Sequence, residues 1–245
     1  QHHRQERDFA LKRLGMARQI APSLAKALSS HLVKVITGPR RAGKSTLAFQ
    51  ILSGKKFAYL NFEDDSLRKD FSSDDLVTAL LEVYETPDFF FFDEIQNYAN
   101  WESFINKLHR RGHNLVLTGS NSHLLSRELG SALTGRHLAF ELLPFSFSEF
   151  VAAQKIGAPG KSESESTDPS QFFKQYLTFG GFPEVALGRT EPLSYLRSLF
   201  DSVVLRDVVT RHRIRQPTAI HDLLTLLMNS AANCFCDRRK RRRIP

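Results

Sequence analysis

The sequence lacks the features that define several classes of protein. Among its 245 residues there are only two cysteines, Cys234 and Cys236, so a disulfide framework is excluded and a reducing, cytoplasmic location is expected. No apolar run approaches the length of a transmembrane helix, and the first twenty residues are charged throughout, unlike a secretory signal. The histidines show no metal-ligand spacing, so no zinc site is predicted. We therefore expect a globular protein without membrane attachment.

The positive charge of the chain is unevenly distributed. Its formal net charge is +8, but six positive charges lie in one run, 238–243. Without residues 234–245, which carry those six charges and one aspartate, the remainder has +8 − 5 = +3. Such a value favours no particular partner.

Composition divides the chain into four segments. Residues 1–156 contain strand-like and helical patterns in alternation, whereas 157–170 are Gly, Pro, Ser and acidic residues and predict a flexible linker. Residues 171–233 are helical in pattern, with helices predicted over 172–178, 192–211 and 217–232. Residues 234–245 form a basic tail.

The first segment predicts an α/β fold. Five apolar runs, rich in Val, Leu, Ile and Phe and with little alternation, are typical of parallel strands covered on both faces by helices. Helical periodicity occurs between them, for example at Trp101, Phe104, Ile105 and Leu108. Ser146 to Glu149 reads as a capping box that opens the next helix. The predicted strands are 32–37, 57–62, 88–93, 114–118 and 137–143.

A glycine-rich loop between the first strand and a helix fits the Walker A pattern of a P-loop. Glycines let successive backbone N–H groups turn toward phosphate oxygens, and the following helix N-terminus adds positive charge. Lys44 is expected to reach the β- and γ-phosphates, and the Ser45 hydroxyl to coordinate Mg²⁺. The alternative is a chance glycine-rich turn before an ordinary helix. The predicted ATP-binding residues are Gly38, Pro39, Arg40, Arg41, Ala42, Gly43, Lys44, Ser45 and Thr46.

Two carboxylates lie at the C-terminal end of the phenylalanine-rich strand 88–93, as in a Walker B motif. Asp93 is expected to hold Mg²⁺, and Glu94 to polarise the attacking water. A water-activating glutamate favours hydrolysis over phosphoryl transfer to a small acceptor. The alternative is an acidic strand end that faces solvent.

Small polar residues and an arginine supply two further candidates. The strand 114–118 ends near Ser120 and Asn121, and we favour Ser120 for contact with the γ-phosphate or the water; alternatively, these residues cap a helix. Arg136 precedes the last strand, where a guanidinium could stabilise charge on a γ-phosphate in its own or a neighbouring subunit. For Arg136 a structural salt bridge is the simpler alternative.

The ordered motifs resemble a family of prokaryotic AAA+ superfamily ATPases, in which an AAA-type domain precedes a helical domain of unknown function. The motifs are GPRRAGKST, FFFFDEIQ, LTGSNSHLL, LTGRHLAFELLPFSFSEF, YLTFGGFPEV and LRDVVTRHRI. The resemblance implies the sheet order 5-1-4-3-2, Lys44 and Ser45 at nucleotide and magnesium, and Asp93 and Glu94 as the Walker B pair. It also places Ser120 at the sensor-1 position and Arg136 where an arginine finger often lies, so assembly into a homo-oligomer is one expectation.

The last twelve residues depart from that resemblance. The family usually continues into a winged-helix-like segment, whereas this chain reads CFCDRRKRRRIP and stops. We interpret this as a truncated or frameshifted end, with a DNA-binding or targeting tail as the alternative. The leading functional hypothesis is ATP binding and Mg²⁺-dependent hydrolysis that drives a conformational change. The alternative is a nucleotide-gated DNA-binding or signalling module, with a protein or DNA partner at the C-terminal region.

Overall fold

The computed structural model describes residues 1–64, 67, 72–120, 133–157, 169–204, 209, 214 and 216–230. They fall into two compact units, divided between Arg189 and Thr190. The first unit is an α/β structure, in order: α1 (His2–Leu11), α2 (Ala21–Ala27), β1 (Val33–Thr37), α3 (Lys44–Leu52), β2 (Phe57–Asn61), α4 (Ser73–Tyr84), β3 (Phe89–Asp93), α5 (Trp101–Arg110), β4 (Asn114–Gly119), β5 (His137–Glu141), α6 (Phe147–Gly157), α7 (Pro169–Phe179) and α8 (Pro183–Ala186).

The five strands form one parallel sheet in the order β2-β3-β4-β1-β5. This confirms both the predicted α/β class and the order that the resemblance implied. All five predicted strands are present, with ends that differ by one or two residues. Because the strands are parallel, all their carboxyl ends lie at one edge of the sheet and all their amino ends at the other.

The run of four phenylalanines is explained by burial on both faces of the sheet. Successive side chains of a strand point to opposite faces. Phe90 and Phe92 pack into a core with α4 and α5, which includes Trp101. Phe89 and Phe91 pack into a second core with α2 and α3. The sheet therefore lies between two helical layers, as predicted.

The edge strand β5 differs from the expectation of full burial. Its residues are half-buried or exposed, whereas all residues of β1 and β3 are buried. β5 is an edge strand that pairs with β1 alone among the described strands. Edge position by itself does not cause this exposure, because the other edge strand, β2, is buried at four of its five residues.

The capping box at the start of α6 is confirmed. Ser146 N donates to Glu149 Oε2 at 3.0 Å, and Glu149 N donates to Ser146 Oγ at 3.3 Å. The two reciprocal bonds satisfy amide groups that the first helical turn leaves without partners.

The second unit contains two described helices, α9 (Pro192–Ser202) and α10 (Pro217–Ser230). Glu191 caps α9 by accepting hydrogen bonds from Leu193 N at 3.1 Å and Ser194 N at 2.6 Å. Of the predicted helix 192–211, residues 192–202 are α-helical and Val203 and Val204 continue as π-helical turns, whereas 205–208 and 210–211 lie outside the described residues. Among the described residues, no helix has the length and apolar character that crossing a bilayer requires. The segment boundaries predicted from composition stay predictions, and 158–168 and 231–245 lie outside the described residues.

Candidate nucleotide site

The glycine-rich loop runs from the end of β1 to the start of α3. Gly38 has a φ of +143°, and a Cβ built there would lie 2.0 Å from the carbonyl oxygen of Leu142, so the close approach of the segment after β5 requires glycine. Gly43 caps α3 with a φ of +95°. Arg41 also adopts a positive φ, +63°, which is uncommon for a residue with a side chain.

The remaining loop residues differ in exposure. Pro39, Arg41 and Thr46 are exposed, whereas Ala42 is fully buried. The Arg40 guanidinium donates to Glu63 Oε1 at 2.8 Å. We therefore expect residues 38–43 to contribute backbone N–H groups rather than side chains to a phosphate site.

Lys44 and Ser45 begin α3 and point to the acidic pair after β3. The Lys44 side chain is 4% exposed, and its Nζ donates to the Pro39 carbonyl at 3.1 Å. The same Nζ lies 3.5 Å from Glu94 Oε1. Ser45 Oγ donates to Asp93 Oδ1 at 2.9 Å. The two motifs, distant in sequence, thus meet at the carboxyl edge of the sheet.

Thr118 connects the two carboxylates. It lies on β4, which occupies the sheet position between β1 and β3. Its hydroxyl donates to Asp93 Oδ1 and accepts from the backbone N of Glu94, the latter at 3.0 Å. Thr118 is fully buried, so this hydroxyl fixes the relative position of the two acidic residues.

Glu94 is held by several groups at once. Its Oε2 accepts from Gln96 Nε2 at 2.6 Å and from Ser120 N at 3.0 Å. Its φ is +49°; left-handed conformations of residues other than glycine cluster at functional sites. The other oxygen, Oε1, lies near Lys44, so both carboxylate oxygens of Glu94 contact protein groups.

The pKa values of the two carboxyl groups diverge. Burial raises the pKa of Asp93 from an ordinary 3.8 to about 6, and the neighbouring Glu94 adds to the rise against the bonds from Thr118 and Ser45. Burial also acts to raise the pKa of Glu94, but Lys44 and the hydrogen bonds from Gln96 and Ser120 outweigh it, so that pKa is lowered. Glu94 is thus ionised at neutral pH, whereas the charge of Lys44 and the hydrogen bonds to Asp93 offset only part of the effect of burial on the pKa of Asp93.

These oxygens fit a magnesium ion. Mg²⁺ prefers hydroxyl, carboxylate and water oxygens, and Ser45 Oγ and Asp93 Oδ1 already lie 2.9 Å apart. A buried carboxylate whose pKa is raised gains from a cation beside it.

Of the further candidates, Ser120 joins this cluster and Arg136 does not. Ser120 contributes its backbone N to Glu94, and its Oγ accepts from Gln96 Nε2 at 3.4 Å. Arg136 precedes β5, and its carbonyl accepts from Val33 N at the start of β1. Five strand residues, about 16 Å at 3.3 Å each, separate that edge from the loop, so Arg136 does not reach the site of its own chain. Asn121 lies outside the described residues.

The buried side chain of Arg18, which the sequence patterns did not indicate, contacts the glycine-rich loop and supports it. The guanidinium of Arg18 donates to the Ala42 carbonyl at 2.9 Å and to the Leu143 carbonyl at 2.7 Å. It also pairs with Glu149, with Nε to Oε1 at 3.0 Å. Both charged side chains are less than one-tenth exposed, so Arg18 connects the glycine-rich loop to the segment after β5 and to α6.

Comparison with known proteins covers most of the chain. Residues 30–151 match the family described as AAA domain, and residues 170–238 match a domain of unknown function (DUF8612). The chain is 36% identical over 214 residues to an uncharacterized protein of Methanocaldococcus jannaschii, covering 84% of this chain and 48% of the relative. It is 31% identical over 218 residues to an uncharacterized protein of Haemophilus influenzae, covering 82% and 52%.

A solved structure has the same fold. The Walker-type ATPase PABY2304 of Pyrococcus abyssi superposes with a TM-score of 0.50 at 17% identity, over 87% of this chain and 76% of that one. At this identity the likeness concerns the fold alone. The chain spans about half the length of the curated relatives that it matches.

Proposed function

Residues 30–151 of this chain are an AAA domain, followed by a domain of unknown function at 170–238, as the resemblance implied; from this premise we propose that the protein binds ATP with Mg²⁺ and hydrolyses it. The observation that carries the proposal is the meeting of Lys44, Ser45 and Asp93 with Glu94 in one buried cluster. We further propose that hydrolysis drives a conformational change, as the AAA domain precedes a helical one.

Each residue has a role that its contacts support. Backbone N–H groups of 38–43 and the Lys44 ammonium bind the phosphates. Ser45 and Asp93 hold Mg²⁺, which neutralises charge on the phosphate oxygens when bound. Glu94 accepts a proton from the attacking water, and Ser120 and Gln96 orient its carboxylate.

Lys44 couples binding to catalysis in this proposal. In the structure its ammonium lies near Glu94, and this contact acts to lower the pKa of the carboxyl group. When the ammonium moves toward the phosphates, that contact weakens and the pKa of Glu94 rises. Glu94 thereby becomes a stronger base only when substrate is present.

The experiment is phosphate release by purified full-length protein with Mg²⁺ and ATP, beside ATP binding by calorimetry. Glu94→Gln should lower release at least about a hundredfold while binding persists, because a positioned base contributes roughly 10²–10⁴ in rate. Lys44→Ala should abolish binding. The matched control is Glu82→Gln, at an exposed position of α4, which should leave both unchanged.

Two results would refute the assignment. Release by Glu94→Gln at the parent rate would remove Glu94 as the base. Equal ATP affinity of Lys44→Ala and the parent would remove the phosphate site itself.

A further inference from the structure

The amino-terminal edge of the sheet, opposite the nucleotide site, is rich in cations. Lys55 and Lys56 directly precede β2, Arg110 and Arg111 precede β4, and Arg136 precedes β5. All five are exposed. We call these five residues the basic edge.

Most of the charge at the basic edge is not neutralised by the described residues. Lys56, Arg110 and Arg136 form no ion pair with any residue in the described part of the chain. Arg111 pairs with Asp74 at 3.2 Å, a contact that exposure to water weakens. The exposed Glu85 and Asp88 before β3 are two opposing charges at this edge. A positive surface therefore remains, although residues 1–233 together carry a small net charge.

The spacing of these cations follows from the sheet order. Neighbouring strands lie about 4.8 Å apart. One strand lies between β2 and β4 and another between β4 and β5, so the starts of these three strands are about 10 Å apart and span about 19 Å. Duplex DNA presents one negative charge per roughly 1.7 Å of axis. A duplex segment of this length therefore carries about eleven phosphates on its two strands, and those on the side toward the protein are available to the cations.

The polar character of the basic edge distinguishes between three classes of partner: proteins, membranes and nucleic acids. Protein–protein interfaces contain an apolar centre, and membrane-surface binding needs inserted apolar side chains. Within the described residues, no large exposed apolar side chain lies in the segment directly before any strand. A polar, strongly positive surface is typical of contacts with nucleic acid.

We propose that the basic edge binds the phosphate backbone of duplex DNA, independently of sequence. Because this edge and the phosphate loop are at opposite ends of the strands, about 16 Å apart, both ligands are accommodated at once. The proposal does not depend on hydrolysis, since DNA binding is measured without ATP. It concerns the body of the protein rather than the run of basic residues at 238–243.

The test is fluorescence anisotropy of a labelled 20-base-pair duplex titrated with full-length protein between 50 and 200 mM salt. Each phosphate contact contributes roughly 0.9 to the slope of log affinity against log salt concentration. Lys56→Gln combined with Arg110→Gln should lower that slope by about 1.8 and weaken affinity at least about tenfold at 50 mM salt. Arg136 is left intact, because it is also a candidate for a neighbouring subunit's phosphate site.

The matched control has the same charge change elsewhere. Lys155 on α6 and Lys174 on α7 are exposed and lie outside the basic edge. The control double substitution Lys155→Gln with Lys174→Gln should keep the parent slope and affinity. Circular dichroism confirms that each variant is folded.

Any of four results would overturn the proposal. The first is an equal loss of DNA affinity in both double variants, which would indicate an effect of net charge. The second is an unchanged salt slope in the Lys56 and Arg110 variant, which would place DNA binding elsewhere on the protein. The third is that the parent does not bind the duplex. The fourth is that the parent binds polyglutamate tightly and not the duplex, which would indicate a surface for an acidic protein.

Discussion

Replacing Asp93 by asparagine should stabilise the nucleotide-free protein at neutral pH. Asp93 is 5% exposed, and burial raises its pKa to about 6. An acidic group with a raised folded-state pKa contributes most favourably when protonated. The favourable contribution of Asp93 to the free energy of unfolding is fully present below about pH 3.8 and is lost as the pH rises through 6. Asparagine keeps the shape and an oxygen that accepts from Ser45 and Thr118, without the charge.

The size of the effect follows from the two pKa values. A change from 3.8 to about 6, at about 1.36 kcal/mol per pH unit, gives about 3 kcal/mol at pH 7–8. At pH 4 both carboxyl and amide are neutral in the folded protein, so the variant and the parent should differ by less than about 0.5 kcal/mol.

Urea unfolding at pH 4 and pH 8 measures this difference. With a slope of about 2 kcal/mol/M, the variant's midpoint should rise by about 1.5 M at pH 8. The control is Asp88→Asn, at the exposed position directly before the same strand, which should be neutral at both values. Mg²⁺ with ATP should stabilise the parent and not Asp93→Asn. If Asp93→Asn is equally or less stable than the parent at pH 8, the carboxylate is not penalised by burial and our electrostatic description of the site is wrong.

Two other substitutions test the supports of the loop. Arg18→Met should lower the free energy of unfolding by about 3 kcal/mol, because it leaves the Glu149 carboxylate buried without its partner. Urea unfolding measures this loss, and a double variant with Arg18→Met and Glu149→Leu should regain part of it. If the single variant loses no stability, the pairing is contradicted. Gly38→Ala should prevent a stable fold or abolish ATP binding by calorimetry, since its Cβ would overlap the Leu142 carbonyl oxygen. Gly54→Ala, where a Cβ meets nothing within 4 Å, should cost only about 1–2 kcal/mol for its positive φ, and equal behaviour of the two alanine variants would refute the overlap.

Local sequence patterns predicted much of the fold. The apolar runs identified β1 to β4 because a strand buried on both faces needs a nearly continuous apolar sequence. The same pattern identified β5, although its residues are half-buried or exposed. Lys44, Ser45, Asp93 and Glu94 were found because strand, loop and helix follow one another locally in a P-loop. The order of the strands came from the family resemblance, since apolar patterns do not encode which strands are neighbours.

The supporting residues could not be found in this way. Arg18 and Glu149 are 131 residues apart, and nothing in the sequence near Arg18 indicates a buried partner. Thr118 left a weak signal, as a polar residue at the end of an apolar strand, but Ser120 and Asn121 beside it were favoured instead. For Arg136 the sequence did contain the necessary information, because a residue directly before a parallel strand lies at the amino-terminal edge, away from the glycine-rich loop. The parallel pairing of β5 with β1 confirms that place.

The place of β4 in the sheet has a consequence for biosynthesis. β1 and β3 leave the ribosome before β4, yet β4 lies between them. A nascent chain that ends before Asn114 therefore holds Lys44, on the helix after β1, and the acidic pair, at the end of β3, next to two strands that do not pair directly. It cannot assemble the site until β4 inserts, so the ability to bind nucleotide should appear in one step during synthesis, after Gly119 has emerged.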